Sequence, residues 1–335
     1  MNDTLHLIYA TDEGYLIPTF VSAVSAVLWA SDKSALRIVI LDIGIADPKW
    51  LDFEQRLRRA GGEKFLLYRH KVDVSKFMDF KSYKGSLGTY ARLDIPRIFP
   101  DLSWCVYADG DTLFTDDPLK LREVYDSRYA IQGQPDNENW DYDETGVSLK
   151  QRWFERNGLG WNSSQYVCAG FLLMNLDWFR SNNGTERCLC FLKEYPDCKN
   201  HDQDALSYVC RGYVSFINDR WGILSRNAFL RGKPGCIHYA ADAPWKLMSS
   251  RRKDYNDAHK LWFDFAYRHL GLGFVDLLTE PYKKNVMWRK FSLRFVFKLI
   301  YPIARFFGFK SPIGRYLHKH YISGCEYSRI LNCKP

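Results

Sequence analysis

Short apolar runs alternate with helix-type segments along the first third of the chain. Residues 5–10, 36–41 and 65–68 are apolar or β-branched and are bounded by polar residues or glycine, which predicts buried strands. Residues 14–31 carry no charge over 18 positions, and residues 50–60 have helical spacing. We interpret the charge-free stretch as a buried helix, because it is barely long enough to cross a bilayer and contains several hydroxyl residues. The alternation predicts an α/β fold with a mixed, largely parallel sheet flanked by helices.

Further apolar runs continue beyond residue 100. Residues 104–108, 112–114, 167–176 and 236–239 are strand-like, and residues 254–278 have helical spacing. Open α/β sheets bind ligands at the carboxyl ends of their strands. We therefore expect the chemistry to lie in the polar residues that directly follow these runs.

The composition is that of a globular protein. Of the 335 residues, 46% are hydrophobic and 26% are charged, which excludes a disordered or collagen-like chain. Aromatic residues make up 16% of the chain, and either an aromatic core or stacking on flat ligands accounts for them. The nine cysteines show no Cys-x-x-Cys pair, so they predict free thiols rather than a zinc site.

Positive charge is concentrated at the end of the chain. The net charge is +8, but residues 281–335 alone carry +11 and residues 1–280 carry −3. A nucleic-acid-binding globule usually spreads its basic residues over the folded body, so we expect no nucleic-acid partner. A basic tail rich in aromatic residues is typical of a segment that binds an anionic membrane surface, although a terminal core helix with a solvated basic face is the alternative. We place a catalytic domain at 1–280 and a basic amphipathic helical tail at 281–335.

Two carboxylates follow the apolar run at 104–108. Asp109-Gly110-Asp111 ends that run, and two carboxylates one residue apart can converge on one Mg²⁺ or Mn²⁺ ion. A polar turn is the alternative interpretation, because Asp-Gly is also a common turn sequence.

Two more polar segments follow or precede apolar runs. His238 lies at the end of a short apolar run, and an imidazole that joins two carboxylates favours Mn²⁺ over Mg²⁺. His201-Asp202-Gln203-Asp204 opens an apolar helical segment. These four residues either cap a helix or supply hydrogen-bonding groups to hydroxyls of a ligand.

These segments together resemble glycosyltransferase family 8, the retaining enzymes of GT-A fold that include bacterial lipooligosaccharide galactosyltransferases and the glycogenins. The likeness runs from about residue 5 to residue 245 and rests on six segments in the family's order. The segments are Ala10-Thr11-Asp12 with Tyr15, Tyr90 through Arg92 to Pro96, Tyr107 to Asp111, Ala169-Gly170 through Asn175, Asp202-Gln203-Asp204, and His238-Tyr239 before Pro244-Trp245.

The resemblance implies a role for each matching residue. Asp109, Asp111 and His238 would hold the metal ion, and Asp202 and Gln203 would line the pocket for the donor sugar. The residues that would bind the nucleotide are Ala10, Thr11, Asp12, Tyr15, Gly110 and Lys246. Among them, Tyr15 would stack on the base. Arg92 would help to place the donor sugar and its phosphate.

Two positions depart from the family pattern. Cys168 stands where the family often has asparagine, which removes an amide from the sugar or acceptor site. The segment from His238 to Lys246 lacks the family's glycine and its lysine before Pro244, so Lys246 would have to take the place of that lysine.

The resemblance implies a metal-dependent retaining enzyme that uses a UDP-sugar. We expect it to move galactose or glucose to a saccharide acceptor, such as a lipid-linked lipopolysaccharide or surface glycan, at the cytoplasmic face of the plasma membrane. Two alternatives stay open at this stage. One is a nucleotide-sugar nucleotidyltransferase, and the other is a non-catalytic saccharide- or membrane-binding protein on a degenerate transferase scaffold.

Overall fold

The structure, a computed structural model, describes residues 4–82, 86–136, 144–230, 232–240, 243–246 and 257–271. The chain divides into two compact units, Met1–Ala240 and Ala241–Pro335. The expected boundary at residue 280 and the tail at 281–335 lie outside the described residues, so both stay predictions.

A seven-stranded mixed sheet forms the centre of the first unit. Its strand order is β3-β2-β1-β4-β7-β6-β8. All pairs among the first four strands of this order, β3 to β4, are parallel. Strand β7 is antiparallel to both of its neighbours, β4 and β6. Strands β6 and β8 are parallel to each other. The predicted α/β fold with a largely parallel sheet is confirmed. The strands of this sheet are β1 (Leu5–Thr11), β2 (Leu36–Asp42), β3 (Leu66–Lys71), β4 (Trp104–Ala108), β6 (Ile131–Pro135), β7 (Val167–Asn175) and β8 (Val214–Phe216).

A second, three-stranded sheet lies in the same unit. Its order is β5-β10-β9, with β10 antiparallel to β5 and parallel to β9. The strands are β5 (Thr112–Phe114), β9 (Ile223–Leu224) and β10 (Cys236–His238).

Helices connect these strands. They are α1 (Leu16–Trp29), α2 (Asp47–Gly61), α3 (Ile95–Ile98), α4 (Leu121–Val124), α5 (Leu149–Arg156), α6 (Leu176–Ser181), α7 (Gly184–Glu194) and α8 (Asp202–Val209), followed in the second unit by α9 (Asp257–Leu270). Residues 254–256 and 272–278 of the predicted last helix lie outside the described residues. None of the helices in the described ranges is long and apolar enough to cross a membrane.

Helix α1 is the charge-free stretch, and its sequence explains its position. Its residues from Pro18 to Val27 are all buried. The helix packs on β5 and α2, so its hydroxyl side chains need partners inside the protein. Ser25 meets this need by donating to the Ser22 carbonyl and accepting from the Phe114 N–H. The prediction of a buried helix here is confirmed.

Two predicted boundaries were wrong by a few residues. Helix α2 begins at Asp47 rather than at residue 50, because Pro48 in its first turn suits a helix start. It ends at Gly61, and Gly62 has φ of +85°, a conformation that glycine adopts without strain. Strand β3 begins at Leu66, which is the first residue to pair with β2, opposite Arg37, and the buried Phe65 precedes the strand.

Aromatic side chains fill much of the core. The largest fully buried side chains are Trp245, Trp262, Tyr9, Tyr90, Tyr107, Tyr166, Tyr239, Phe65, Phe77, Phe114, Phe154 and Phe171. In the described part of the chain the aromatic composition therefore serves packing to a large extent. Within the second unit, the rings of Trp245 and Trp262 pack against each other at a tilt of 43°, with centroids 4.9 Å apart.

The sheet register brings the polar strand ends together. Strands β1 and β4 are parallel neighbours, with Leu7 opposite Val106, so the residues after both strands lie at one edge. Strand β7 crosses that edge in the opposite direction, and the Asp109 N–H donates to the Gly170 carbonyl at 2.8 Å. In the small sheet His238 pairs with Thr112, which places it beside the end of β4.

Candidate active site

Three predicted metal ligands converge at the edge of the large sheet. One ligand atom each from Asp109, Asp111 and His238 lie within 4.8 Å of one another. His238 is buried, and its Nε2 lies 3.3 Å from Asp111 Oδ1. The tertiary structure thus brings together the two carboxylates and the imidazole that the sequence suggested. Oxygen and nitrogen donors of this kind suit Mn²⁺ and also accept Mg²⁺.

Gly170 lies against this cluster, and its lack of a side chain leaves room for the ligands. A Cβ at Gly170 would lie 2.1 Å from His238 Cε1, 2.4 Å from His238 Nε2 and 2.9 Å from Asp109 Oδ2. Any side chain would therefore overlap the imidazole and crowd the carboxylate. The residues present fit a divalent cation, since two carboxylates and an imidazole are suitable donors and one atom of each lies within 4.8 Å of the others.

Gly110 has a similar steric role beside helix α1. A Cβ there would lie 2.2 Å from Thr19 Oγ1. Thr19 Oγ1 lies within hydrogen-bonding distance of the Tyr15 carbonyl, at 2.8 Å, and of Thr11 Oγ1, at 2.9 Å. The turn between Asp109 and Asp111 therefore packs directly on the start of α1, which a larger residue would prevent.

The two oxygens of Asp109 face different partners. Oδ1 accepts from Arg92 Nη2 at 2.9 Å and from the Tyr107 hydroxyl at 2.8 Å. Oδ2 is the oxygen that faces Gly170 and His238. The carboxylate is thus held by Oδ1, and its second oxygen is directed toward the metal cluster.

Arg92 lies behind the cluster as a buried cation. It is 5% exposed, pairs with Asp109 at 2.9 Å and with Asp202 at 3.0 Å, and its guanidinium lies 4.4 Å from the centroid of the Tyr107 ring. It also donates to the Ala169 carbonyl. Burial alone would lower the pKa of Arg92, but the two carboxylates outweigh it and raise that pKa, so the residue stays charged. Arg92 therefore links the metal cluster to the predicted sugar pocket.

Asp202 is buried at the start of α8. Its Oδ1 accepts from Thr89 Oγ1 at 2.5 Å, and its Oδ2 is ion-paired with Arg92. Burial raises the pKa of Asp202 to about 6, although Arg92 and Thr89 act in the opposite direction. Oδ2 is buried, and its ion pair with Arg92 at 3.0 Å fixes the second oxygen of the carboxylate.

Gln203 is fixed at both ends of its amide. Its Oε1 accepts from the Ala169 N–H at 2.9 Å. Its Nε2 donates to Asp136 Oδ2 at 2.7 Å and to the Tyr166 hydroxyl at 3.2 Å. Asp136 in turn pairs with Lys150 at 3.0 Å, and both side chains are about 9% exposed. The Asp136 carboxylate can only accept hydrogen bonds, so the end of the Gln203 amide that faces it must be the nitrogen.

Sequence reasoning missed Asp136, Lys150 and Tyr166. Each lies in a segment without a recognisable motif, and only the tertiary contacts with Gln203 identify them. Asp204, by contrast, has other partners than Asp202: its carboxylate accepts from the Tyr166 hydroxyl at 2.5 Å and from the Asn200 N–H at 2.8 Å.

The predicted nucleotide loop lies at the end of β1. Asp12 accepts from the Tyr15 N–H at 3.1 Å and from Ser86 Oγ at 3.1 Å, so it caps the short 3₁₀ turn Glu13–Tyr15. Ala10 and Thr11 end β1, the parallel neighbour of β4. The side chain of Lys246 lies outside the described residues, so its predicted phosphate contact stays a prediction.

The pKa of His238 reflects this crowded environment. Burial opposes protonation of the ring, but Cys168 and Asp111 outweigh it and raise the pKa of His238 well above its ordinary value. A cation that binds Nε2 would take the place of that proton.

Comparison with known proteins gives consistent matches. The sequence model of glycosyl transferase family 8 matches residues 6–248. A Haemophilus influenzae protein to which glycosyltransferase activity is assigned provisionally is 24% identical over 221 residues, which is 66% of this chain and 63% of that protein. The match thus spans less than two thirds of that relative's length.

Solved structures share the fold. Galactosyltransferase LgtC in complex with donor and acceptor sugar analogs matches with a TM-score of 0.64 and 21% identity, over 84% of this chain and 100% of that one. The bifunctional glycosyltransferase WbbM matches with a TM-score of 0.61 and 20% identity, over 78% of this chain and 49% of that one. At this level of identity the likeness shows the fold, which is of GT-A type.

Proposed function

The chain belongs to glycosyltransferase family 8, and on this premise we propose that it transfers a hexose, galactose or glucose, from a UDP-sugar to a saccharide acceptor with the help of a divalent cation. Family membership favours glycosyl transfer over nucleotidyl transfer. The convergence of Asp109, Asp111 and His238 within 4.8 Å argues against a degenerate, non-catalytic scaffold.

The convergence of Asp109, Asp111 and His238 beside Gly170 carries the proposal. Three donors within 4.8 Å of one another, beside a glycine whose Cβ would overlap the His238 ring, form a site for one cation. Bound Mn²⁺ would neutralise charge on a diphosphate leaving group. The protein's own contribution is to hold these donors, with Arg92 and Tyr107 fixing the Asp109 carboxylate from behind.

The nucleotide would lie along the edge where β1 and β4 end. Asp12 is fixed by hydrogen bonds to the Tyr15 N–H and to Ser86, so the loop after β1 is preorganised. We assign Asp12 to the uridine and Tyr15 to stacking on the base. Open α/β sheets bind nucleotides at this edge, which supports the assignment.

The donor sugar would lie between Arg92 and α8. Asp202, whose carboxylate is oriented by Thr89 and Arg92, would accept from a sugar hydroxyl. Gln203 would lie beneath the anomeric carbon, with its oxygen directed by the Ala169 N–H and its nitrogen by Asp136. An amide oxygen has a second lone pair and can stabilise developing positive charge.

We propose that the configuration of the sugar is retained by same-face attack. Gln203 is an amide and a poor nucleophile, and Asp204 is engaged by Tyr166 and Asn200, so neither is suited to form a covalent intermediate. The acceptor hydroxyl would attack the face from which UDP leaves, and the departing phosphate oxygen would take its proton.

We also propose that the tail at 281–335 holds the enzyme at the cytoplasmic face of an anionic membrane. The tail has a net charge of +11, whereas residues 1–280 have a net charge of −3. Basic residues are attracted to anionic lipids, which supports this assignment. Lipid-linked saccharides, such as lipopolysaccharide precursors, would then be within reach of the site.

A screen of UDP-sugars for UDP release tests the proposed function. With Mn²⁺ present, we expect release from UDP-galactose or UDP-glucose, and we expect EDTA to abolish it. Full activity in EDTA would contradict the metal assignment, and no release from any UDP-sugar would contradict the donor assignment.

A further inference from the structure

Cys168 contacts the ring of His238 on the side away from the metal cluster. It lies on β7, two residues before Gly170, and is half-buried. Its Sγ lies 3.6 Å from His238 Nδ1, while His238 Nε2 lies 3.3 Å from Asp111 Oδ1. The imidazole is therefore held between a thiol on one nitrogen and a carboxylate on the other.

Metal binding requires one tautomer of this ring. If Nε2 is to give its lone pair to a cation, Nδ1 must carry the hydrogen and needs an acceptor. His238 is 3% exposed, so water is a poor substitute. In the described part of the chain, Cys168 Sγ is the hydrogen-bond partner of Nδ1.

A thiol suits both states of the site. With no cation, Nε2 carries a hydrogen that it donates to Asp111, and Nδ1 lies 3.6 Å from Cys168 Sγ. With a cation on Nε2, the hydrogen lies on Nδ1, and the sulfur accepts it. An alanine at this position offers neither a donor nor an acceptor.

We propose that Cys168 is a positioning residue of the metal site, which fixes the tautomer and orientation of His238 so that Nε2 faces the cation. This inference rests on the proposed metal dependence and goes beyond it, because it assigns a role to the residue at which this chain departs from the family pattern. The contact also joins β7 of the large sheet to β10 of the small one.

Mn²⁺ affinity of the full chain tests the assignment without any turnover. We would measure free Mn²⁺ by electron paramagnetic resonance during titration of the wild type, C168A, C168S and C168N. C168A should bind about tenfold to a hundredfold more weakly, the usual effect of losing an outer partner of a metal ligand. C168N should restore the affinity to within about threefold, since its carbonyl oxygen reaches further than Sγ. C168S should lie between them, because its oxygen is closer to the chain than sulfur.

A matched control and a spectroscopic measurement separate positioning from folding. C190A removes an exposed thiol on α7 and should bind Mn²⁺ like the wild type. With ¹⁵N-labelled histidine and Mg²⁺ as the diamagnetic ion, the wild type and C168N should show His238 protonated at Nδ1. C168A should need a higher Mg²⁺ concentration to reach the same state, because its ring binds the ion more weakly.

The outcomes distinguish two failures. If the wild type binds Mn²⁺ and C168A binds equally well, Cys168 has no positioning role and the metal site itself stands. Equal weakening in C168A and C168N would also overturn the role. If the wild type binds no Mn²⁺, the metal site fails and the role of Cys168 fails with it.

Discussion

Replacement of Gly170 by alanine should disable the metal site with a single methyl group. The new Cβ would lie 2.1 and 2.4 Å from two atoms of the His238 ring. Optimal carbon contacts are about 3.5–4.0 Å, so the ring or the strand must move by about 1.5 Å. His238 is buried, and its ring cannot simply turn outward.

The size of this displacement sets the expected loss. A misplacement of about 1 Å at a catalytic group costs about a hundredfold in rate. We therefore expect kcat/KM of Gly170→Ala to fall by about a hundredfold or more and Mn²⁺ affinity to fall as well. UDP release at several Mn²⁺ concentrations, together with Mn²⁺ titration by electron paramagnetic resonance, measures both quantities.

Gly133→Ala is the matched control. Its Cβ would lie 3.0 Å from both Leu172 Cδ2 and the Phe171 carbonyl, so it also crowds β7 but without touching the metal ligands. Overpacking of this kind costs about 1–3 kcal/mol of stability. We expect a lower melting temperature and unchanged Mn²⁺ affinity. A Gly170→Ala protein that binds Mn²⁺ like the wild type would refute the reasoning about the space at Gly170.

Four further predictions address the metal, the sugar pocket, the pH dependence and the tail. Asp109→Ala and Asp111→Ala should each lose at least about a hundredfold in UDP release with saturating Mn²⁺, because the ion contributes several kcal/mol to the transition state; activity near the wild-type level would remove them as ligands. Gln203→Ala should slow steady-state turnover about tenfold to a hundredfold and Asp202→Asn should mainly raise KM for the donor, whereas a trapped covalent adduct on Asp202 would overturn same-face attack. The pKa of Asp202 is raised to about 6, so the folded state holds this proton more tightly than the unfolded state does. As the pH rises from about 4 to about 6, the metal-free protein should therefore lose up to about 3 kcal/mol of its free energy of unfolding. Chemical denaturation should detect this loss in the wild type and not in Asp202→Asn. Removal of residues 281–335 should release the protein from anionic vesicles in co-sedimentation while hydrolysis of the UDP-sugar continues, and an unfolded product would show that the tail is part of the core.

The sequence by itself determined the local elements and the position of the first two ligands. Apolar runs and helical spacing predicted β1, β2, β4 and α1, because burial of one face is encoded by residues close together in the chain. Asp109 and Asp111 could be placed at a strand end for the same reason.

Only the tertiary structure decided what surrounds those ligands. His238 reaches Asp111 through the pairing of β10 with β5, and Gly170 is required because β7 crosses at that point. The Lys150–Asp136 pair that orients Gln203, and the contact of Cys168 with His238, likewise join distant segments. Such contacts depend on strand register and sheet order, which no local pattern of hydrophobic and polar residues contains.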